Sequence, residues 1–393
     1  MDNDFPPPTP PPANPAPTNP PPPYLAPPTP PILSPARQKK AGRGWMISAL
    51  VLGFLLVLSV LGSLVGSFFG IFTSVEGSGG GPHLQEVTLE HTWVSDKIAI
   101  IPIEGIITSF SRDGGYSMVE LIEAQLKIAA TDKQVKAVLL KVNSPGGEVL
   151  ASDDIYKAIL KFQNEHNKPV VASMGSLAAS GGYYVSAPCR WIVANELTIT
   201  GSIGVIMHGY NYRGLMNKVG LRPMVFKSGR FKDMLSGEKD LDKLTPAEKA
   251  DFDEEEAMVA KMINETFERF KTVVAEGRKF SSNRNQLNKD GETGRELSDK
   301  WTSLADGRIL SGKEALKNGF VDEVGDWHDA VRRTKKLAGI SNANLVTYQV
   351  PFSLGSLLGL LGKSEAKSIK VDLGFEMPKL SAGLYHLAPS FLR

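Results

Sequence analysis

Apolar positions divide the chain into parts with different periodicity. Proline dominates residues 1–44, an uncharged apolar stretch covers residues 45–75, and strand-like apolar segments begin near Lys97. Proline-rich sequence lacks backbone donors and core-forming side chains, so residues 1–44 are expected to form an extended or disordered tail. Residues 76–96, which open with a glycine run, are expected to be a flexible tether.

The apolar stretch over residues 45–75 predicts one membrane-spanning helix. A span needs about 20 apolar residues, and no charge interrupts this stretch. The long preceding tail and the lack of an Ala-x-Ala site disfavour a cleaved signal peptide. Because a basic cluster precedes the stretch, the positive-inside rule predicts a single-pass plasma (inner) membrane protein with a cytoplasmic N-terminus and an extracytoplasmic domain. The cluster consists of Arg37, Lys39, Lys40 and Arg43.

Beyond Lys97, strand-like segments alternate with segments of helical spacing. Continuous β-branched runs over residues 98–107 and 135–142 predict strands that are buried on both faces. Shorter strands are expected over residues 168–173, 191–194 and 200–207, with a further one ending at Phe226; helices are expected over residues 117–130 and 151–162. The alternation predicts a single α/β domain with a largely parallel sheet over residues 97–340.

The C-terminal part of this domain is predicted to be mainly helical. A long amphipathic helix is expected from Thr245 to about Arg278, opened by a Thr-Pro-Ala-Glu cap. An acidic run over residues 251–256 has no metal-ligating partner, and we interpret it as a solvated helix face. A helix from Asp326 to Leu337 completes the domain. For residues 341–393, an interfacial segment, a subunit arm and a disordered tail all remain open.

Composition excludes several classes of function. The formal net charge is only +2, which does not indicate a nucleic-acid-binding surface. One cysteine, Cys189, cannot form a disulfide within the chain, and the six histidines lack ligand spacing, so a zinc hydrolase is disfavoured. The segment from Gly307 to Lys313 has the spacing of a phosphate loop. However, Glu314 stands where Ser or Thr must hold magnesium, and its carboxylate would repel phosphate.

Ser180 is the candidate nucleophile. It follows a predicted strand, precedes two glycines and lies before a short apolar helix that Pro188 ends. Such a turn would expose the hydroxyl to a substrate and back it with the free N–H groups of a helix N-terminus. A Ser-His-Asp triad is not excluded by spacing, but no histidine lies in a glycine-rich turn, so lysine is the favoured base.

Four motifs occur in the order found in the signal peptide peptidase A (SppA) family, which the chain resembles from about Lys97 to Gly325. The motifs are residues 143–147 (Asn-Ser-Pro-Gly-Gly), 176–184 (Ser-Leu-Ala-Ala-Ser-Gly-Gly-Tyr-Tyr), 200–205 (Thr-Gly-Ser-Ile-Gly-Val) and 227–233 (Lys-Ser-Gly-Arg-Phe-Lys-Asp). The resemblance implies a membrane-anchored serine peptidase with a Ser/Lys dyad on a ClpP/crotonase-like fold. It does not extend to the proline-rich tail or to the C-terminal stretch.

The resemblance also implies the roles of five residues. Ser180 matches the nucleophile, Lys232 the general base, Gly147 and Gly181 the backbone donors of the oxyanion hole, and Ser202 a hydroxyl that orients the lysine amine. An unperturbed lysine pKa of about 10.4 leaves about one amine in 10³ uncharged at neutral pH, so a lysine base needs burial away from carboxylates. Asp233 is therefore expected to point away from the dyad.

The resemblance thus implies an endopeptidase that cleaves hydrophobic peptides, such as signal peptides left in the membrane, and that needs no metal or cofactor. One copy of the domain resembles the short form of the family, which implies a homo-oligomeric ring with active sites shared between subunits. The expected partners are peptide substrates, membrane lipid and further copies of the chain. A catalytically silent membrane scaffold and a crotonase-like acyl-CoA enzyme are the alternatives. Intact Ser180 and Lys232 argue against the first, and an extracytoplasmic location argues against the second.

Overall fold

The computed structural model describes residues 50–57, 59, 81–111, 115–287, 291–351 and 385–387. The chain divides into two compact units, Met1–Ser78 and Gly79–Arg393. In the first unit, residues 50–57 and 59 are helical (α1). Across the described part of the chain, none of the helices combines the length and the apolarity that a bilayer span requires. The predicted tail and most of the predicted span at residues 45–75 lie outside the described residues.

A sheet forms the centre of the second unit. The strands of this unit are β1 (Gln85–Glu90), β2 (Lys97–Glu104), β3 (Val135–Ser144), β4 (Gly146–Glu148), β5 (Val170–Ala179), β6 (Trp191–Ala194), β7 (Ile199–Gly201), β8 (Ile309–Ser311), β9 (Glu323–Val324), β10 (Asn344–Gln349) and β11 (Tyr385–Leu387). Within the described residues, nine of them form one sheet in the order β1-β10-β2-β3-β5-β6-β9, with β7 paired to β5 and β8 to β7. Strands β4 and β11 pair with each other.

Most neighbouring strands of the main sheet are parallel. The pairs β10–β2, β2–β3, β3–β5, β5–β6, β5–β7 and β6–β9 are parallel, whereas β1–β10 and β7–β8 are antiparallel. Parallel strands need crossover connections, and helices supply most of them. The predicted α/β class with a largely parallel sheet is confirmed.

Helices flank the sheet close to the predicted positions. They are α2 (Met118–Thr131), α3 (Val149–His166), α4 (Gly181–Ser186), α5 (Arg213–Lys218), α6 (Pro246–Asn285), α7 (Trp301–Leu304), α8 (Gly312–Lys317) and α9 (Trp327–Ala338). The predicted cap of the long helix is present, because Thr245 and Glu248 form a reciprocal capping box and Pro246 is the first helical residue.

The central strands are buried on both faces. On β2, Ala99 and Ile101 pack into the larger core together with residues of α2, α3, α4 and α6. Ile98 and Ile100 alternate with them and pack into a second core together with Ala330 of α9. The alternation of side chains along a strand therefore places one core on each side of the sheet, as the continuous apolar runs predict.

The sheet also contains segments from outside residues 97–340. Strand β1 precedes this range, and β10 follows it, yet β10 pairs with β2 through Val346 and Ala99. The strand predicted to end at Phe226 is not found, because residues 221–227 have no regular structure. Phe226 is 89% exposed and Met224 is 79% exposed, so their apolar pattern does not mark a strand of this sheet.

Candidate active site

Ser180 lies in the turn between β5 and α4. Its φ of 55° and ψ of −118° are unusual for a residue with a side chain and cost on the order of 1–3 kcal/mol. The turn is held because the Ser180 N–H donates to the carbonyl of Gly201 at 2.8 Å and the Ser180 carbonyl accepts from the N–H of Tyr184 at 2.9 Å. A strained strand-to-helix turn of this kind is common at catalytic serines.

The Ser180 side chain is buried rather than exposed. The residue is 1% exposed, so the prediction of an exposed hydroxyl is wrong for the single chain. Its Oγ atom has no hydrogen-bond partner among the described residues. Burying a hydroxyl without a hydrogen-bond partner costs about 1–3 kcal/mol of folding free energy. The Ser180 hydroxyl is therefore a polar group of the site whose hydrogen bond is not satisfied.

Gly147 and Gly181 lie side by side next to Ser180. A Cβ atom built on Gly181 would lie 3.1 Å from the backbone nitrogen of Gly147 and 2.7 Å from Ser152 Oγ. A Cβ atom on Gly147 would lie only 1.9 Å from the carbonyl oxygen of Ile107. Both positions therefore require glycine for steric reasons, and the absence of side chains brings two backbone segments together at the nucleophile.

The hydrogen bonds of β4 determine the direction of the Gly147 N–H. Ile107 donates to the carbonyl of Gly146 at 2.9 Å and accepts from the N–H of Glu148 at 2.9 Å. Because backbone groups of successive strand residues point to opposite edges, the Gly147 N–H points away from Ile107. On that opposite edge β11 pairs antiparallel with β4, with His386 facing Gly147. This edge of β4 therefore accepts an extended chain.

Ser202 reaches the site through the register of β5 and β7. Ala179 pairs with Gly201, so Ser180 and Ser202 follow directly from paired positions. Ser202 is buried and also has a positive φ, of 51°. Its N–H donates to the carbonyl of Arg308 at 2.7 Å. The segment that resembles a phosphate loop therefore supports Ser202, while the Glu314 carboxylate accepts from Ser311 in a capping box.

The single chain does not bring Lys232 to Ser180. Lys232 is exposed and lies in a turn, where its N–H donates to the carbonyl of Gly229 at 3.2 Å. Since the Ser180 hydroxyl has no partner among the described residues, no hydrogen bond joins the two side chains. Four of the five predicted site residues therefore lie in adjoining segments, whereas Lys232 is exposed and makes no hydrogen bond to the Ser180 hydroxyl.

The acidic run on α6 fixes the loop that carries Lys232. Arg230 pairs with Asp251 at 3.0 Å and with Glu254 at 2.6 Å, and Lys239 pairs with the buried Glu255. The interpretation of the run as a solvated helix face is therefore wrong for the buried Glu255, whereas Glu254 is exposed and all three of these acidic residues form ion pairs. Sequence reasoning missed their role because the ion pairs join positions that are 16 to 24 residues apart.

Asp233 is occupied by two other lysines of the same region. Its carboxylate lies 2.7 Å from Lys227 and 3.7 Å from Lys239. The hydrogen bond from Lys227, with help from the charge of Lys239, holds the pKa of Asp233 below its ordinary value. The carboxylate that follows Lys232 in the sequence is therefore already paired with other lysines.

Two tyrosines that sequence reasoning did not single out anchor α4. The Tyr183 hydroxyl donates to the carbonyl of Phe320 at 2.8 Å, and the Tyr184 hydroxyl donates to Asp153 at 2.6 Å. Burial alone would raise the pKa of Asp153, but hydrogen bonds from Lys157, Tyr184 and Arg269 lower it below its ordinary value. An ionised Asp153 on α3 thus holds the helix that follows the nucleophile. The sequence feature that could have indicated this anchoring is the Tyr-Tyr pair directly after the two glycines.

No group of residues suited to a metal ion occurs in the described ranges. Cys189 is buried, and burial raises the pKa of its thiol, so it behaves as a small apolar core residue. The chemistry available at Ser180 is therefore that of a hydroxyl beside two glycine N–H groups, next to the edge of β4 that pairs with β11.

Comparison with known proteins identifies relatives of this chain. The sequence profile described as peptidase family S49 matches residues 162–341, a range that includes Ser180, Ser202 and Lys232. The profile described as Clp protease matches residues 104–193, a range that includes Gly147 and Gly181. This second match confirms the ClpP-like character of the α/β fold.

Individual relatives agree with these profiles. The Enterococcus faecium protein named "Putative signal peptide peptidase SppA" is 35% identical over 274 residues, which cover 69% of this chain and 72% of that protein. Protease 4 of Haemophilus influenzae is 33% identical over 249 residues, which cover 63% of this chain and 36% of that protein. The chloroplastic serine protease SPPA of Arabidopsis thaliana is 31% identical over 285 residues, which cover 70% of this chain and 37% of that protein.

Proposed function

Since the chain belongs to peptidase family S49 and is a serine endopeptidase, we propose that Ser180 is its nucleophile and that Lys232 of a second copy is its general base. The observation that carries the proposal is the buried Ser180 hydroxyl, which has no partner among the described residues. A nucleophile needs a base within hydrogen-bonding distance, and the exposed Lys232 is free to enter the site of another copy.

The surface around Lys232 supports assembly with a second copy. Exposed apolar side chains precede it in the sequence, at Tyr210, Leu215, Val219, Leu221, Met224 and Phe226. A concentration of exposed apolar residues of this kind is typical of a protein–protein contact. Burying the lysine amine in such a contact would disfavour its charged form and free its lone pair for proton transfer.

The proposed reaction uses only groups of the protein and water. Lys232 takes the proton of Ser180 Oγ as this oxygen attacks the scissile carbonyl carbon, and the oxyanion accepts from the N–H groups of Gly147 and Gly181. Lys232 then gives the proton to the leaving nitrogen as the C–N bond breaks, which leaves an ester on Ser180. Water, deprotonated by the same amine, hydrolyses this ester. The hydroxyl of Ser202 orients the amine.

Apolar peptides in extended conformation are the proposed substrates, among them signal peptides left in the membrane after secretion. The edge of β4 that pairs with β11 is suited to an extended backbone. Exposed apolar side chains near the site are suited to apolar substrate residues: Leu150, at 66% exposed, is the second residue of α3, and Ile309 pairs with Gly201 beside Ser202. The uncharged stretch at residues 45–75 would hold the enzyme at the membrane.

A fluorophosphonate probe tests this function on the full chain extracted in mild detergent. It should form one covalent adduct, which peptide mass spectrometry places on Ser180, because the probe reacts with an activated serine and mimics the tetrahedral intermediate. Ser180→Ala is expected to remain unlabelled, whereas Ser176→Ala, which changes an exposed serine of the same strand, should still be labelled. Folded, assembled protein that fails to label at Ser180 would support a silent scaffold instead.

A further inference from the structure

Glu148 joins the strand that carries Gly147 to the segment that follows Ile107. One carboxylate oxygen accepts from the Thr108 hydroxyl at 3.0 Å. The other accepts from the Ser109 N–H at 2.9 Å and from the Ser109 hydroxyl at 2.6 Å. These three donors satisfy most of the hydrogen-bonding capacity of the carboxylate, and no lysine or arginine of the described residues forms an ion pair with it.

The same two segments are already joined by their backbones. Ile107 donates to Gly146 and accepts from Glu148, the residues on either side of Gly147. The Glu148 side chain adds a second connection directly after Gly147. Ser144 supports the other end, since its hydroxyl donates to the carbonyl of Gly105 at 2.6 Å and accepts from the Gly146 N–H at 3.1 Å.

We infer that Glu148 is a positioning residue for the oxyanion hole, an inference that rests on the proposed role of Gly147. By holding β4 against Thr108 and Ser109, the carboxylate keeps the Gly147 N–H pointed at the position of the developing oxyanion. Oxyanion donors stabilise the transition state only when their orientation is preset, so a strand that turns by a small angle loses rate without losing substrate.

Kinetics of Glu148 variants of the assembled full chain test the inference, with a fluorogenic apolar peptide as substrate. Glu148→Ala should lower kcat by about 10- to 100-fold, less than the loss of the donor itself, with KM within about twofold. Glu148→Gln should stay within about threefold of the wild type, because its amide oxygen can accept from Ser109 and its NH₂ can donate to the Thr108 hydroxyl. A peptide boronic acid, which places an oxygen at the oxyanion position, should bind Glu148→Ala more weakly by the factor lost in kcat.

Glu120→Ala is the matched control. The Glu120 carboxylate accepts from the N–H and the hydroxyl of Ser117 at 2.8 and 2.9 Å, which is the same pattern of contacts in the capping box of α2. This variant should lower the melting temperature to a similar extent but leave kcat and boronate affinity unchanged. If Glu148 had only a structural role, Glu148→Ala would likewise lower the melting temperature and leave kcat and boronate affinity unchanged.

Two outcomes would overturn the inference: a kcat of Glu148→Ala within twofold of the wild type, or an equal loss of kcat in Glu148→Ala and Glu148→Gln. The activity of Ser180→Ala distinguishes these two outcomes from a failure of the proposed function. If Ser180→Ala keeps its activity, the proposed site itself is wrong. If Ser180→Ala is inactive and Glu148→Ala remains fast, only the positioning role of Glu148 is wrong.

Discussion

Replacing Lys232 by alanine is expected to abolish peptidase activity and to leave the fold intact. Removing the base or the nucleophile of a serine protease lowers kcat by about 10⁴- to 10⁶-fold, because the two act as a unit. Lys232 is exposed in the single chain, and substitutions at such positions usually change the free energy of unfolding by less than about 0.5 kcal/mol. Steady-state kinetics and thermal unfolding of the same preparation measure both quantities.

Two further variants distinguish a role of Lys232 as a base from a role of its positive charge alone. Lys232→Arg keeps the charge, but its guanidinium does not lose a proton at neutral pH, so it should be as inactive as Lys232→Ala. Lys243→Ala removes another exposed lysine from the same region and should retain activity within a few fold. Substantial activity in Lys232→Arg would mean that Lys232 acts through its charge, and the proposed mechanism would then be wrong.

Replacing Gly147 by alanine is expected to lower kcat by about 10²- to 10³-fold, which is the usual cost of losing one oxyanion donor. A Cβ atom at this position would lie 1.9 Å from the Ile107 carbonyl oxygen, so β4 must move away from Ile107 and turn the N–H from its position. Overpacking of this kind also costs about 1–3 kcal/mol of unfolding free energy. Kinetics at saturating substrate, at a temperature well below unfolding, measure the catalytic loss.

A glycine in open space provides the control for Gly147→Ala. No heavy atom lies within 4 Å of a Cβ atom built on Gly81, so Gly81→Ala should change neither kcat nor stability appreciably. If folded Gly147→Ala keeps a kcat close to that of the wild type, the Gly147 N–H does not stabilise the oxyanion.

The predicted elements that agree with the structure depend on local pattern. The continuous β-branched runs of β2 and β3 need burial on both faces wherever the strands lie, and the capping box at Thr245 is complete within four residues. The turn at Ser180 is likewise local, because its two glycines and the following tyrosines are adjacent in sequence. For the two strands and the capping box the local sequence contains nearly all of the determining contacts, whereas the turn at Ser180 is also held by Gly201 and Phe320.

The features that were missed depend on distant residues. Strand β10 joins the sheet by pairing Val346 with Ala99, a contact that periodicity cannot reveal. The acidic residues of α6 gained a role only when the fold placed them beside Arg230 and Lys239. The apolar residues up to Phe226 resemble a strand, since pattern alone does not distinguish a strand of the sheet from an exposed apolar segment.

Mixing two inactive variants tests the central claim, that Ser180 and Lys232 of different copies form each active site. Ser180→Ala and Lys232→Ala chains, co-expressed in equal amounts, should regain about a quarter of the wild-type activity, because about one contact in four then joins an intact serine to an intact lysine. Co-expression of Ser180→Ala with the double variant is the blank. If the mixture of single variants forms hetero-oligomers and yet stays as inactive as this blank, the two residues do not act across copies and the account is contradicted.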